Sequence, residues 1–245
     1  MKKHIILLLG AIIFLSVATA FFIRGGETIA TQPMKDPMSF QLVDESSLSD
    51  LEKAFVLIAK EYPGVHRFGS LYVISLGQKP HPGYRIELTG QKQILEQVKL
   101  YIRQLLPEKG KMYAQVIVYP HLVGRIELPK YTTLSVLDAE TQKPVLDQTG
   151  FKLEFHDEQV AADIRKAWTI PLDHPISQSE LSSYKITLKK MDGMELPVTT
   201  ILERDNQIRV IPNEPYEKGV TYLLQIVHPK GKETNMAVWP FKIIQ

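Results

Sequence analysis

The sequence predicts a mainly β protein with an N-terminal hydrophobic helix, an α+β first domain and an all-β sandwich as its second domain. An uncharged apolar run occupies residues 5–23. Apolar and polar residues then alternate with a period of two through much of residues 71–128, as in half-buried strands. From residue 166 onward, short β-prone runs recur between turns, which is typical of a sandwich.

The N-terminal segment, residues 1–24, predicts export. Lys2 and Lys3 precede the apolar run and Arg24 ends it. A run of this length is long enough to cross a bilayer as a transmembrane anchor, which would leave the C-terminal body outside the cell membrane. Alternatively, the segment is a signal peptide that is cleaved near Ala20, after which the body is secreted. Both interpretations put the body outside the cytoplasm.

Charge and cysteine content exclude several classes of function. Three of the 29 Lys and Arg residues, and none of the 27 acids, lie in the first 24 residues, so the remainder has a formal charge of −1. A nearly neutral body does not favour nucleic acid as a partner. The absence of cysteine excludes disulfides, cysteine nucleophiles and thiolate metal sites.

A linker and a helix come next. Residues 25–43 contain paired glycines, prolines and little periodicity, which predicts a linker. The first domain is predicted over residues 44–130. Apolar residues then recur at helical spacing from Leu48 to Tyr62, and Ser49 lies three positions before Glu52, as in a capping box. Pro63-Gly64 ends this helix.

Strands fill the rest of the first domain. Residues 91–106 leave strand and helix both open, because 98–103 alternates while the whole stretch also fits a helix. The predicted strands are 71–76, 84–88, 98–103, 112–118 and 122–128.

A connecting segment is predicted over residues 131–154 and the sandwich over residues 155–245. Runs at 132–137 and 150–155 are extended and could complete the first domain or lead into the second. The predicted sandwich strands are 166–170, 184–189, 196–202, 207–211, 221–228 and 237–244.

The connection from Gly77 to Gly83 is the candidate binding loop. Its exposed polar and aromatic groups are expected to be Lys79, His81, Tyr84 and Arg85. Aromatic and cationic side chains on a loop suit peptide recognition. The alternative is a turn that only sets the two flanking strands.

No catalytic residue, metal site or cofactor is predicted. The histidines lack metal-ligand spacing, and the chain has no Gly-x-Ser-x-Gly elbow. Ser182 and Lys185 fit Ser-x-x-Lys by spacing only, in a loop that enters a strand. Asp157, Glu158 and Asp163 lack the spacing of a calcium loop.

Two parts of the chain resemble known bacterial families. Residues 65–130, with Gly-x-Lys-Pro-x-x-Gly-Tyr between strands and Tyr119-Pro120 after a later strand, resemble the C-terminal domain of the protease-complex subunit PrcB. Residues 155–245, from Trp168-Thr169-Ile170-Pro171 to the run from Gly219 to Tyr222, resemble the SbsA-type bacterial Ig-like domain of surface-layer proteins. The resemblances imply an Ig-like second domain and a protease or cell-envelope component as partner.

We therefore predict a non-enzymatic, extracytoplasmic and membrane-anchored accessory module that binds a protein partner. Its membrane contact would be residues 5–23, and it would bind neither nucleic acid nor a small-molecule cofactor. A structural envelope or stalk protein and an unrecognised hydrolase are the alternatives. A hydrolase requires Ser, His and acidic side chains that converge in one cleft.

Overall fold

A computed structural model describes residues 38–146, 150–230 and 233–244. The predicted hydrophobic helix and most of the predicted linker lie outside these residues. Within the described portion, no helix is long and apolar enough to cross a membrane. This portion is mainly β, which confirms the predicted class.

Two α-helices occur in the described residues, and both begin with a capping box. In α1 (Asp50–Ala59), the Ser49 side chain accepts from the Glu52 N–H while Glu52 accepts from the Ser49 N–H. Such reciprocal bonds satisfy helix N–H groups that otherwise lack partners. The predicted helix is therefore confirmed, although Leu48 and Tyr62 lie beyond its ends. The one-turn helix α2 (Gln178–Leu181) was not predicted.

The described residues also contain sixteen strands. They are β1 (Gln41–Leu42), β2 (Gly64–Phe68), β3 (Leu71–Ser75), β4 (Arg85–Ile94), β5 (Gln97–Leu105), β6 (His121–Arg125), β7 (Thr133–Asp138), β8 (Phe151–Phe155), β9 (Gln159–Ala161), β10 (Trp168–Pro171), β11 (Lys185–Lys190), β12 (Glu195–Leu196), β13 (Val198–Arg204), β14 (Gln207–Pro212), β15 (Thr221–Lys230) and β16 (Glu233–Ile243).

These strands form four sheets. Sheet A has the order β1-β6-β3-β2, and sheet B has the order β4-β5-β7. Sheet C has the order β12-β11-β15-β16-β8, with β9 also paired to β16, and sheet D has the order β10-β14-β13. Most pairs are antiparallel, but β7 joins β5 in parallel and both β8 and β9 join β16 in parallel.

The sheets follow one another in the order B, A, C, D, and a hydrophobic core lies between each neighbouring pair. Side chains on a strand alternate between its two faces, so a strand that is buried on both faces can serve two cores. Strand β3 places Tyr72 and Ile74 in the core shared with sheet B, and Leu71 and Val73 in the core shared with α1 and sheet C. Strand β15 does the same between α1 and sheet D.

The core around α1 contains residues from both halves of the chain. Phe55 of α1 is fully buried, and its ring lies 5.4 Å from that of Phe155 on β8. Strand β7 completes sheet B, whereas β8 joins sheet C, so the segment predicted as a connection divides between the two halves. The domain boundaries themselves stay predictions.

One predicted strand, residues 112–118, is wrong. Within the described residues its only ladder contact is a bridge between Val118 and Lys79. The N–H of Val116 instead donates to the Ala114 carbonyl at 2.9 Å, and this tight turn interrupts the extended backbone that pairing needs. The strand predicted at 122–128 also ends early, at Arg125. The open stretch 91–106 is a hairpin of β4 and β5 rather than a helix.

Candidate functional site

The loop between β3 and β4 is held in place by backbone bonds to residues 118–120. The N–H of Leu76 donates to the Pro120 carbonyl at 3.0 Å, and Lys79 exchanges two backbone bonds with Val118 at 2.8 and 3.0 Å. Gly77 has a φ of 67°, and a Cβ there would lie 2.8 Å from the Cδ of Pro63. Only glycine fits this left-handed position against the turn that ends α1.

An aromatic cluster forms the centre of the site. The His81 ring stacks on Tyr113, with centroids 4.9 Å apart and planes 11° apart. The His81 ring also lies 5.0 Å from that of Tyr84, with the planes tilted by 34°. The Gly83 N–H donates to His81 Nδ1 at 3.2 Å, and the Tyr113 hydroxyl accepts from the Glu108 N–H at 3.1 Å. These bonds fix the orientation of the cluster, which leaves its three rings half-buried.

Two lysines lie beside these rings, and Arg85 follows Tyr84 in the chain. Lys79 Nζ lies 5.8 Å from the Tyr84 ring centroid, and Lys111 Nζ lies 5.7 Å from that of Tyr113. Lys111 also pairs with Glu108 at 3.0 Å, and hydrogen bonding to this carboxylate raises the pKa of Lys111. Arg85 is exposed and has no ion-pair partner within the described ranges. Arg85 is therefore the cation best placed to meet an incoming acidic group.

A groove runs along the start of β4, and we call it the β4-edge groove. Its volume is about 350 Å³. It is lined by Pro82, Tyr84, Arg85, Ile86, Glu87, Val118, Tyr119, Pro120 and His121. Among the strands that the structure describes, β4 is at the edge of sheet B, so its outward N–H and C=O groups face no other described strand. Such an edge can accept an added strand from another chain.

His121 ties the far wall of this groove to the short 3₁₀ helix Glu45–Ser47. Its Nε2 lies 2.9 Å from Glu45 Oε1, and its Nδ1 faces the Tyr119 carbonyl oxygen. Both ring nitrogens therefore face oxygen atoms. The contact between His121 and Glu45 braces the groove wall.

The structure brings together the four predicted site residues: Lys79, His81, Tyr84 and Arg85. Sequence reasoning missed Tyr113, because it had placed this residue in a strand. No local sequence pattern indicates this contact, because the segment with Tyr113 reaches the loop through the bridge between Lys79 and Val118. His66 lies outside this site: it is buried in β2, with Nε2 2.9 Å from the Tyr62 carbonyl oxygen.

The residues considered for other chemistry have local structural partners. The Ser182 hydroxyl donates to the Ser179 carbonyl at the end of α2, at 2.7 Å. Glu158 accepts from the Thr221 hydroxyl at 2.9 Å, and Asp163 accepts from the Arg165 N–H at 2.8 Å. In the portion that the structure describes, no group of three or more His, Asp or Glu side chains could hold a metal ion.

Comparisons with known proteins find a similarity for part of the chain. The PrcB C-terminal family matches residues 70–127, and no curated protein matches the chain. Among solved structures, the chain is similar to PcoC, a copper resistance protein from Escherichia coli, with 15% identity over 36% of this chain and 89% of that chain, at a TM-score of 0.28. Nothing in these comparisons supports the SbsA-type Ig-like domain, which stays a prediction for residues 155–245.

The family match contains the whole of the predicted site. It begins just before β3, includes the candidate loop, the hairpin of β4 and β5 and the segment with Tyr113, and ends after β6. The resemblance predicted for the first half is therefore supported over residues 70–127, which match the PrcB C-terminal family.

Proposed function

We propose that this chain is a non-enzymatic accessory module that binds a protein partner outside the cytoplasm through the β4-edge groove. The observation that carries the proposal is the free edge of β4 beside an aromatic and cationic cluster. An extended segment of the partner would lie along β4 and bond to its main chain. The cluster of His81, Tyr84 and Tyr113 would contact the partner's side chains.

The chemistry of the site suits a peptide better than a small metabolite. Tyrosine and arginine are enriched among the residues that dominate protein interfaces, and Tyr84 and Arg85 stand next to each other at the groove. Main-chain bonds along an edge strand supply affinity without requiring one particular sequence. An acidic residue in the partner would pair with Arg85.

The location outside the cytoplasm is supported by the sequence alone. A basic N-terminus followed by an uncharged apolar run is the pattern of an exported or anchored protein. We propose single-pass anchoring through residues 5–23, with secretion after cleavage near Ala20 as the alternative. A protease or another cell-envelope component as the partner rests on the family resemblance.

Site-specific photocrosslinking in the native envelope tests the binding proposal. A photoreactive phenylalanine analogue replaces Tyr84 or Tyr113 in the full-length chain. We expect both positions to crosslink the same protein in a 1:1 adduct. Arg85→Ala should lower the yield at least about fivefold, the loss typical of an interface residue that contributes measurably.

The controls are matched in residue type. Tyr131 is an exposed tyrosine at the opposite end of sheet B, and Arg204 is an exposed arginine at the end of β13. The analogue at Tyr131 should not crosslink that protein, and Arg204→Ala should leave the yield unchanged. Equal adducts from positions 84 and 131, or none from either groove position, would overturn the proposal.

A further inference from the structure

Two large apolar side chains project from adjacent turns at one end of sheet B. Leu95 is 89% exposed at the turn between β4 and β5, and Tyr131 is 76% exposed in the turn before β7. The turns are neighbours because Gln97 pairs with Thr133 at the start of the parallel ladder, and the Thr133 N–H donates to the Glu96 carbonyl at 2.9 Å. With the 41% exposed Ile94, these side chains form what we call the apolar tip.

Both turns hold their apolar residue in a backbone conformation that favours other residue types. Leu95 has a φ of 51° and Tyr131 has a φ of 75°. The left-handed region is costly for residues with bulky side chains and is usually occupied by Gly, Asn or Asp. Strain of this kind in a described turn points to a function for the residue that bears it. Within the described part of the chain, neither exposed side chain recovers this cost through burial.

Lysines surround the apolar tip. Lys92 and Lys99 are directly opposite each other in the β4–β5 ladder, an arrangement of like charges that destabilises a hairpin on its own. Lys130 adds a third charge, with Nζ 5.2 Å from the Tyr131 ring centroid. Residues 91–99 and 129–133 contain these three lysines and one acid, Glu96, and so carry a formal charge of +2 on a nearly neutral body.

We propose that the apolar tip docks on a lipid bilayer with anionic headgroups. Leu95 and Ile94 would enter the boundary between headgroups and acyl chains, and Tyr131 would sit at headgroup level, where tyrosine is enriched. Lys92, Lys99 and Lys130 would lie against the anionic headgroups, which relieves the repulsion between the paired lysines. This inference is independent of the β4-edge groove, which is formed by the other end of β4 and would stay accessible.

An environment-sensitive label at the tip tests the proposal in the full-length chain. The chain has no cysteine, so Leu95→Cys accepts a single fluorophore such as NBD. The purified chain is mixed with vesicles of phosphatidylcholine alone or of phosphatidylcholine with phosphatidylglycerol. We expect a blue shift and quenching by spin-labelled lipids only with the anionic vesicles. The label reports position 95 alone, whatever other segments of the chain do.

Charge and apolar contact can be tested separately. Lys92→Gln with Lys99→Gln should raise the anionic lipid concentration needed for half the shift on the order of tenfold. Tyr131→Asn should also weaken the shift while leaving thermal stability unchanged or higher, because asparagine tolerates the left-handed conformation. This variant separates loss of docking from loss of folding.

A label at Met112→Cys is the matched control. Met112 is 96% exposed and apolar, but it lies in the segment near the aromatic cluster instead of at the tip. It should remain in water with both kinds of vesicle. A label at position 95 that remains in water with anionic vesicles would overturn the proposal. Equal blue shifts of the labels at positions 95 and 112 would also overturn it. The same holds for a blue shift at position 95 that a protein produces and lipid vesicles do not.

Discussion

The rings of His81 and Tyr113 lie almost parallel, 4.9 Å apart, although the two residues come from separate loops. Gly83 lies against both rings. A Cβ on Gly83 would be 2.9 Å from Tyr113 Cζ and 3.0 Å from two atoms of the His81 ring. The stack therefore depends on a glycine that leaves room for it.

Gly83→Ala should separate the two rings. The added methyl group has no space, so we expect a loss of about 1–3 kcal/mol in the free energy of unfolding and weaker partner binding. Urea denaturation measures the first effect, and crosslinking from Tyr84 measures the second. Gly90→Ala is the control, because a Cβ at Gly90 meets nothing within 4 Å. If both variants behave alike, the stack does not depend on Gly83.

Gly124→Ala should be among the more damaging single changes in sheet A. The Phe40 ring lies directly on Gly124, so a Cβ there would overlap the ring and also approach the Gln41 carbonyl to 2.9 Å. We expect a loss of at least about 2 kcal/mol by chemical denaturation. In the double variant Phe40→Ala with Gly124→Ala, the loss should be smaller than the sum of the two single losses, because the methyl group enters the vacated space. Strict additivity would contradict this explanation.

Stability should fall as the pH drops below about 6.5, because of His66. Burial lowers the pKa of His66 from its ordinary value of 6.5, although its hydrogen bond with the Tyr62 carbonyl acts in the opposite direction. The unfolded chain therefore binds a proton at a pH where the folded chain does not, and the free energy of unfolding decreases with falling pH. Denaturation between pH 5 and pH 7 measures how the free energy of unfolding depends on pH. The effect of His66 should begin as the pH falls below about 6.5, the ordinary pKa of histidine.

His66→Gln is the control for this pH effect. Glutamine does not titrate, and its side-chain amide can still donate to the Tyr62 carbonyl. We expect the slope between neutral and mildly acidic pH to become smaller in this variant. An unchanged slope would assign the effect to other groups.

Glu52→Ala should remove two interactions at once. One carboxylate oxygen accepts from the Ser49 N–H at 3.0 Å, and the other lies 2.7 Å from Arg125 Nη2 on β6. Burial acts to raise the pKa of Glu52, but these hydrogen bonds outweigh it and hold the pKa below its ordinary value of 4.5. We expect a loss of about 1–2 kcal/mol in the free energy of unfolding at neutral pH.

The acid dependence of Glu52 has a definite sign. A carboxylate with a lowered pKa stabilises the fold above its unfolded pKa, and the contribution is lost as the pH falls below that value. The difference in the free energy of unfolding between wild type and Glu52→Ala should therefore become smaller at acidic pH. Glu180→Ala is the matched control, because Glu180 completes the exposed capping box of α2 without an ion pair. Glu180→Ala should lower the free energy of unfolding by less than Glu52→Ala does at neutral pH.

The sequence predicts a structural element correctly where all the residues that determine it lie close together in the chain. The start of α1 depends on Ser49 and Glu52, which lie three residues apart, so the sequence identified it. The prediction of a strand at 112–118 failed because β propensity describes a side chain's preference for a pleated surface, not the presence of a partner strand. Residues 91–106 fit both periods, so the sequence alone does not decide between a strand and a helix there.

The candidate site was only partly visible for the same reason. The loop residues were identified because they are close in sequence and chemically suited to recognition. Tyr113 and the far wall of the groove were not, because they reach the loop through the non-local bridge between Lys79 and Val118. The apolar tip likewise depends on the parallel pairing of β5 with β7.

By itself, the sequence determined the mainly β class, α1 with its cap, the position of the candidate loop and the resemblance of residues 65–130 to the PrcB C-terminal family, which the family match supports over residues 70–127. Those conclusions rest on residue types, short-range spacing and local motifs, which are written along the chain. Tertiary structure alone decided which strands pair, which residues join the aromatic cluster and that α1 packs into a core shared by both halves. These outcomes depend on contacts between distant segments, whose energies local propensity does not contain.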